Sequence, residues 1–292
     1  MIVIAGGTGR LGTQLVTRLA ARGLDVRVLT RELDRARHLG DLAAEIVKCD
    51  VRDRASVKSA MQDATRVVSA VHGFAGPGRV SPASVDRDGN ANLIDAAAAV
   101  DADVILVSVV GASPDHPMEL FRAKYAAEQH LQASNARWTI VRATAFVELW
   151  ADLMNKPIVF GRGENPINFV SVGDVAAAVE QAVIGTDLRQ KTIEVGGPQD
   201  LTFNELAALL QRIRRRPAKI RHVSPWLLRS MAPFSRQAAA ATAMDSIDMT
   251  FDAVTAHYDL AGLPMTDIQT ALTQAIEPTA DPPQPIQSSA RP

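Results

Sequence analysis

The chain has a single cysteine, Cys49, in 292 residues, so no disulfide can form within it. It has almost no charge surplus. The 31 Lys and Arg against 32 Asp and Glu leave a formal net charge of −1, with no global pull toward nucleic acid or acidic membranes. No apolar run reaches the roughly 18 residues a membrane helix needs. No leader precedes the first predicted strand, which starts at Met1, so a cytoplasmic protein is expected. Internal repeats, metal-ligand clusters, acyl-transfer triads and Walker phosphate loops are also missing from the sequence. Cys49 itself closes a predicted strand without an electropositive neighbour to activate it, which makes it a small core residue.

What is present begins at once. Met1-Ile2-Val3-Ile4-Ala5 is a short apolar, β-branched run, Gly6-Gly7-Thr8-Gly9-Arg10-Leu11-Gly12 follows, and helical spacing starts in the same stretch. A pyrophosphate binds backbone N–H groups at a helix N-terminus, where the macrodipole favours negative charge. Side chains would block that approach, so glycines stand at the turn, at the ligand and where helix meets strand. The spacing of Gly6, Gly9 and Gly12 is looser than the commonest dinucleotide fingerprint. Its position between a strand and a helix is what gives it meaning.

The first half then alternates strands with helices. Strands are expected over 2–5, 25–29, 45–48, 66–71, 104–108 and 138–141, and helices over 11–22, 33–39, 54–61, 85–100 and 118–133. The strands are continuous apolar runs, as required when helices cover both faces of a parallel sheet. The fold class is therefore α/β, a doubly wound parallel sheet of Rossmann type, with a smaller, mostly helical C-terminal region. Residues 1–150 are read as the dinucleotide-binding domain, 151–276 as a substrate- or partner-binding region packed on it, and 277–292 as a disordered tail rich in Pro, Gln and Ser. In the second region Asp174 is expected to cap a helix through Val183, and Thr202-Phe203-Asn204-Glu205 reads as a capping box.

The end of the second strand decides the cofactor. Val28-Leu29-Thr30-Arg31 puts a guanidinium where an acidic residue would receive the ribose hydroxyls of NAD, so NADP(H) is preferred and NAD(H) is second. Arg31 can take the 2′-phosphate bidentately, and Arg10 lies within reach of the same group. Asp50, with Val51, follows the third strand, where such folds address adenine. Ala70 and Val71 follow the fourth, where the chain passes the ribose.

Several segments carry a family resemblance. These are the glycine turn, Val26-Arg27-Val28-Leu29-Thr30-Arg31, Cys49-Asp50-Val51-Arg52-Asp53, Leu106-Val107-Ser108-Val109-Val110-Gly111-Ala112, Lys124-Tyr125-Ala126-Ala127-Glu128, Thr139-Ile140-Val141-Arg142 and Phe169-Val170-Ser171-Val172-Gly173-Asp174-Val175-Ala176. In order and spacing they resemble the NmrA-like, atypical branch of the short-chain dehydrogenase/reductase superfamily, over residues 1 to about 200. The resemblance implies a lysine that holds the nicotinamide ribose, a role falling to Lys124, and a serine at the end of the fifth strand, Ser108. It also implies a tyrosine four residues before the lysine, where this chain has Leu120. Tyr125 points about 100° round the helix and is no substitute.

Without that acid, His72, after the fourth strand, is the remaining proton-donor candidate near neutral pH. Phe74, Thr144, Phe146, Trp150 and Trp226 are candidates for a largely apolar acceptor pocket. The expected function is NADPH-dependent hydride transfer to a small, largely apolar acceptor such as a quinone or carbonyl. The alternative is a non-catalytic NADP(H) sensor. A small-molecule acceptor is the expected partner, with a homodimer or a regulatory protein as further partners. A membrane partner is not expected from the near-zero net charge and the lack of a long apolar run, nor a nucleic-acid partner, because the basic run Arg212-Ile213-Arg214-Arg215-Arg216 ends a helix and complements its dipole.

Overall fold

The computed structural model describes residues 1–74, 80–217, 219–252, 263 and 265–276. Seven parallel strands form one sheet: β1 (Ile2–Ala5), β2 (Val26–Thr30), β3 (Glu45–Lys48), β4 (Arg66–Ser69), β5 (Asp103–Val109), β6 (Trp138–Ala143) and β10 (Lys191–Val195). Their spatial order is β3-β2-β1-β4-β5-β6-β10, so the direction of winding reverses between β1 and β4. In open α/β sheets that reversal leaves a crevice at the strand C-termini. The doubly wound class expected from the sequence is the one observed.

In β1, β2, β4, β5 and β6 alternate residues enter different cores, which is why these strands are largely apolar. Ile2 and Ile4 join a cluster with α1 (Arg10–Ala21) and α6 (Val172–Ile184). Val3 and Ala5 join another with α2 (Arg54–Ala60), α3 (Asp88–Ala98) and α4 (Glu119–Gln132). A third core is built mainly from later elements. It includes Val147 and Ala151 of α5 (Val147–Leu153), Leu206 and Leu210 of α7 (Phe203–Ile213), and Leu272 of a C-terminal helix, Ile268–Ile276.

Some expected boundaries move for local reasons. The fourth strand stops at Ser69 rather than residue 71, and the Val71 carbonyl accepts a hydrogen bond from a lysine side chain instead of from a strand. The helix expected over 85–100 opens with a wider π turn, Ala83–Arg87, before α3. Such turns recur at functional sites. Ser171, not Asp174, caps α6, its hydroxyl accepting the Gly173 N–H, while Asp174 receives the N–H and hydroxyl of Thr266. The division at residue 150 is also too simple. β10 pairs with β6 and α6 packs on α1, so residues 172–195 belong to the first unit. The tail expected over 277–292 lies outside the described residues.

The capping box is formed as expected: the Thr202 hydroxyl accepts the Glu205 N–H at 3.1 Å, and the Glu205 carboxylate accepts the Thr202 N–H at 2.8 Å. That N–H, and then the hydroxyl, hold the Glu205 carboxyl below its usual range. The folded chain therefore binds fewer protons at this carboxyl than the unfolded one. The contribution is present above the unfolded glutamate pKa and is lost as pH falls through the folded value. Thr202→Ala is expected to lower stability by about 1 kcal/mol, read as a lower urea midpoint at unchanged slope. An unmoved midpoint contradicts the assignment.

Candidate dinucleotide site

The glycines of the first turn differ in what each one permits. Gly6 has φ +86°, and a Cβ there would lie 2.6 Å from the Ala70 carbonyl oxygen, so the turn sits directly against the chain leaving β4. A Cβ on Gly12 would come within 2.2 Å of the Gly6 carbonyl oxygen, and one on Gly7 within 2.8 Å of Val28. Those three positions are closed by the protein itself. Gly9 is different: its Cβ would meet only the Gly6 carbonyl, at 3.3 Å, and otherwise faces open space.

That open space lies at the N-terminus of α1. Asp53, Ser171 and Thr202 cap α2, α6 and α7 through their side chains, whereas Gly9 gives α1 no side-chain cap and its first turn holds no acid. Among the described residues, no acceptor takes the N–H groups of Arg10, Leu11 or Gly12. The Thr8 side chain is half-buried beside them. Orphan donors, a favourable dipole and a gap that only glycine leaves open fit a pyrophosphate.

The other predicted cofactor residues line the same sheet edge. Arg31 is exposed just after β2 and has no hydrogen bond or ion pair among the described residues, while its charge is felt by both Asp50 and His72. Asp50 is chelated by Arg52, with Nη2 at 2.6 Å from Oδ2, and that guanidinium leads in holding its carboxyl below the usual range. An adenine contact would thus meet an Asp50–Arg52 pair rather than a bare carboxylate. Val51 is buried against Gly89, and its carbonyl accepts from Asn92. Arg10 does not turn toward Arg31; its side chain pairs with Asp152, just beyond the expected domain boundary, with Nε at 3.1 Å from Oδ2. Only the Arg10 N–H remains with the phosphate turn.

The candidate catalytic groups stand differently from the expectation. Lys124 is 4% exposed, and its ammonium donates to the Val71 and Val107 carbonyls, each at 2.9 Å, and faces Asp86 Oδ1 at 3.1 Å. Two of its N–H donors go to those carbonyls. Asp86 Oδ1 accepts no hydrogen bond and faces the ammonium as an ion pair, so the third donor has no acceptor among the described residues. Ser108 is also buried, its hydroxyl donating to Glu128, which Arg142 grips with Nε at 3.0 Å and Nη2 at 2.7 Å. It is part of a tie between β5, α4 and β6. His72 keeps an exposed edge at the mouth of the cleft. Lost hydration lowers its pKa below the usual histidine value; Lys124 and Arg31 act the same way, and Asp86 opposes them. This direction favours the neutral imidazole over the charged one.

Of the pocket candidates, Phe74, Phe146 and Trp150 are half-buried, and Trp150 packs on Phe203 at 4.7 Å between ring centroids. The Thr144 hydroxyl donates to Asn168 Oδ1 at 2.9 Å. Sequence reasoning missed Asp86, Glu128 and Glu148. Glu148 is 7% exposed and receives the Ser171 hydroxyl and Val172 N–H; burial raises its carboxyl pKa. Asp86 sits on a π turn that no spacing rule announces. Glu128, four residues after Lys124, was open to being found, since both fall on one helix face.

The fold and this edge define a dinucleotide-binding protein of Rossmann type. A family model described as NAD(P)H-binding matches residues 6–184, and the chain belongs to that family. It is 27% identical to an NAD(P)H azoreductase of Xenophilus azovorans, over 75% of this chain and 76% of that one. It is 30% identical to a (4-alkanoyl-5-oxo-2,5-dihydrofuran-3-yl)methyl phosphate reductase of Streptomyces griseus, over 75% and 76%. Among solved structures, an Escherichia coli NADPH-dependent quinone oxidoreductase complexed with NADPH shares the fold at a TM-score of 0.75 and 19% identity, covering 94% of this chain and 100% of that one. The chain is thus an NAD(P)H-binding member of a family that includes NAD(P)H-dependent reductases.

Two outcomes test this geometry. Gly9→Val leaves the folded core intact and abolishes NADPH binding in calorimetry, whereas Gly12→Val unfolds the turn. Equal NADPH affinity in Gly9→Val and wild type removes the site from this turn. Lys124→Met strands the fully buried Asp86 and lowers stability by about 3–5 kcal/mol, the usual cost of breaking a buried pair. Adding Asp86→Asn recovers part of that loss, and a double variant no more stable than Lys124→Met contradicts the pairing.

Proposed function

We propose that the protein is an NADPH-dependent oxidoreductase that reduces a small, largely apolar acceptor: a quinone, a carbonyl compound or a similar molecule. The observation that carries the reading is the pairing of an uncapped α1 with the unengaged Arg31 guanidinium on the same sheet edge. Arg10, Leu11 and Gly12 would hold the pyrophosphate by their N–H groups, and Arg31 the 2′-phosphate that distinguishes NADPH from NADH. When bound, the cofactor supplies a hydride, and the protein's part is to hold and shield it. Phe74, Phe146 and Trp150 would give the acceptor an apolar wall.

The acceptor must also gain a proton. No tyrosine stands before Lys124, Ser108 is committed to Glu128, and a neutral His72 is a weak acid. Water at the open cleft mouth is the proton source that remains, which suits acceptors whose reduced forms need no positioned acid. The same committed side chains favour a second reading, a protein that binds NADP(H) to regulate a partner without turnover.

The NADPH assignment is tested with dissociation constants of wild type and Arg31→Ala for both cofactors at one salt concentration. A charge-assisted phosphate contact contributes about 1.5–3 kcal/mol, so NADPH should weaken roughly 10- to 100-fold while NADH barely changes. Equal weakening of both cofactors contradicts the role of Arg31. Loss of nicotinamide absorbance with quinones, aldehydes or azo dyes supports the reductase. Tight NADPH binding with no turnover on any of them assigns the sensor.

A further inference from the structure

The near-neutral net charge hides one strongly biased stretch. From Leu206 to Met244 the chain has no Asp or Glu and eight Lys or Arg residues. Two of the eight are spent. Arg214 donates to the Ala151 and Met154 carbonyls at the end of α5, and Arg236 pairs with Glu119 at 3.1 Å. Arg212, Arg215, Arg216, Lys219, Arg221 and Arg229 are exposed, and none has an acidic partner among the described residues.

The same stretch carries the most exposed aromatic side chains among the described residues. Helix α8 (Pro225–Met231) packs on α9 (Arg236–Met244) and buries Leu228. At 100° per residue, Trp226, Leu227 and Met231 fall within an arc of about 140° away from Leu228, interrupted only by Ser230. Trp226 is 75% exposed, and Phe234, in the following turn, is 92% exposed. An exposed apolar cluster of this kind, broken only by one serine, points to an interaction site, unlike apolar residues scattered singly.

We propose that this segment docks the protein on an anionic lipid surface, with Trp226, Leu227, Met231 and Phe234 entering the headgroup boundary and the free basic side chains meeting lipid phosphates. Basic residues together with Trp, Leu and Phe on a surface helix are the chemistry of interfacial binding. A second copy of the chain fits less well, because a two-fold interface would bring the unpaired cations against themselves. Nucleic acid would use the cations and leave the aliphatic Leu227 and Met231 without a stacking partner. This is lying on a membrane and not crossing it; no helix among the described residues is long and apolar enough to span one. It revises the expectation of no membrane partner, which rested on net charge and averaged this segment away.

The test is co-sedimentation of the full chain with vesicles of phosphatidylcholine alone and of phosphatidylcholine mixed with phosphatidylglycerol. Binding is expected only to the mixed vesicles, and it should weaken as salt rises. Arg215→Ala, Arg216→Ala and Arg221→Ala should each weaken it up to about fivefold. Trp226→Ser combined with Phe234→Ser should weaken it at least about tenfold. Both variant sets alter exposed side chains, so unchanged NADPH affinity shows that they are folded. No binding to the mixed vesicles overturns the proposal. So does vesicle binding indifferent to the Trp226 and Phe234 changes, a concentration-dependent dimer that those changes abolish in place of vesicle binding, or an oligonucleotide bound more tightly than the mixed vesicles.

Discussion

Everything at the candidate site depends on how closely the β1–α1 turn presses against the chain leaving β4. No side chain fits between Gly6 and the Ala70 carbonyl, or between Gly12 and the Gly6 carbonyl. This contact fixes α1 so that its uncapped first turn opens onto the crevice where the sheet reverses direction. A capping side chain would stabilise the helix by about 1 kcal/mol, and α1 lacks the kind of cap that Asp53, Ser171, Thr202 and Ser235 give other helices. Orphan donors at a helix end that opens onto this crevice, beside a glycine with open space at its Cβ, fit a ligand that satisfies them.

The second constraint lies one strand away. Asp86, fully buried, accepts the Gly73 N–H at 2.7 Å and faces the Lys124 ammonium, which in turn holds the Val71 and Val107 carbonyls. The segment carrying His72 is thereby clamped on both sides by one ion pair. Lys124, placed like the superfamily's ribose-holding lysine, holds the loop beside the candidate site through these contacts. The Ser108–Glu128–Arg142 tie does the same between β5, α4 and β6. Both networks stiffen the floor of the cleft and leave its chemistry to the cofactor and solvent.

The sheet and the glycine turn were legible in the sequence because their signals are local. Strand runs such as Ile2–Ala5 are bounded by glycine, and a capping box such as Thr202–Glu205 spans four residues. Lys124 and Ser108 were read from their place along the chain, yet what they touch is set by Asp86 and Glu128, 38 and 20 residues distant from them. Arg10 was assigned to phosphate because it sits in the turn, but Asp152 claims its side chain from beyond the expected domain boundary. Long-range partners decide whether a charged group is free for a ligand or already spent. Arg31 and His72 are exposed after β2 and β4 with no hydrogen bond or ion pair among the described residues.

The central claim is that NADPH binds by the open N-terminus of α1 with Arg31 at its adenosine end. Amide resonances followed through an NADPH titration of the full chain test it most directly. The account predicts that Gly9, Arg10, Leu11 and Gly12 move together with Arg31, and that the Arg212–Arg216 region stays still. Saturable NADPH binding that leaves the α1 amides unmoved would contradict it.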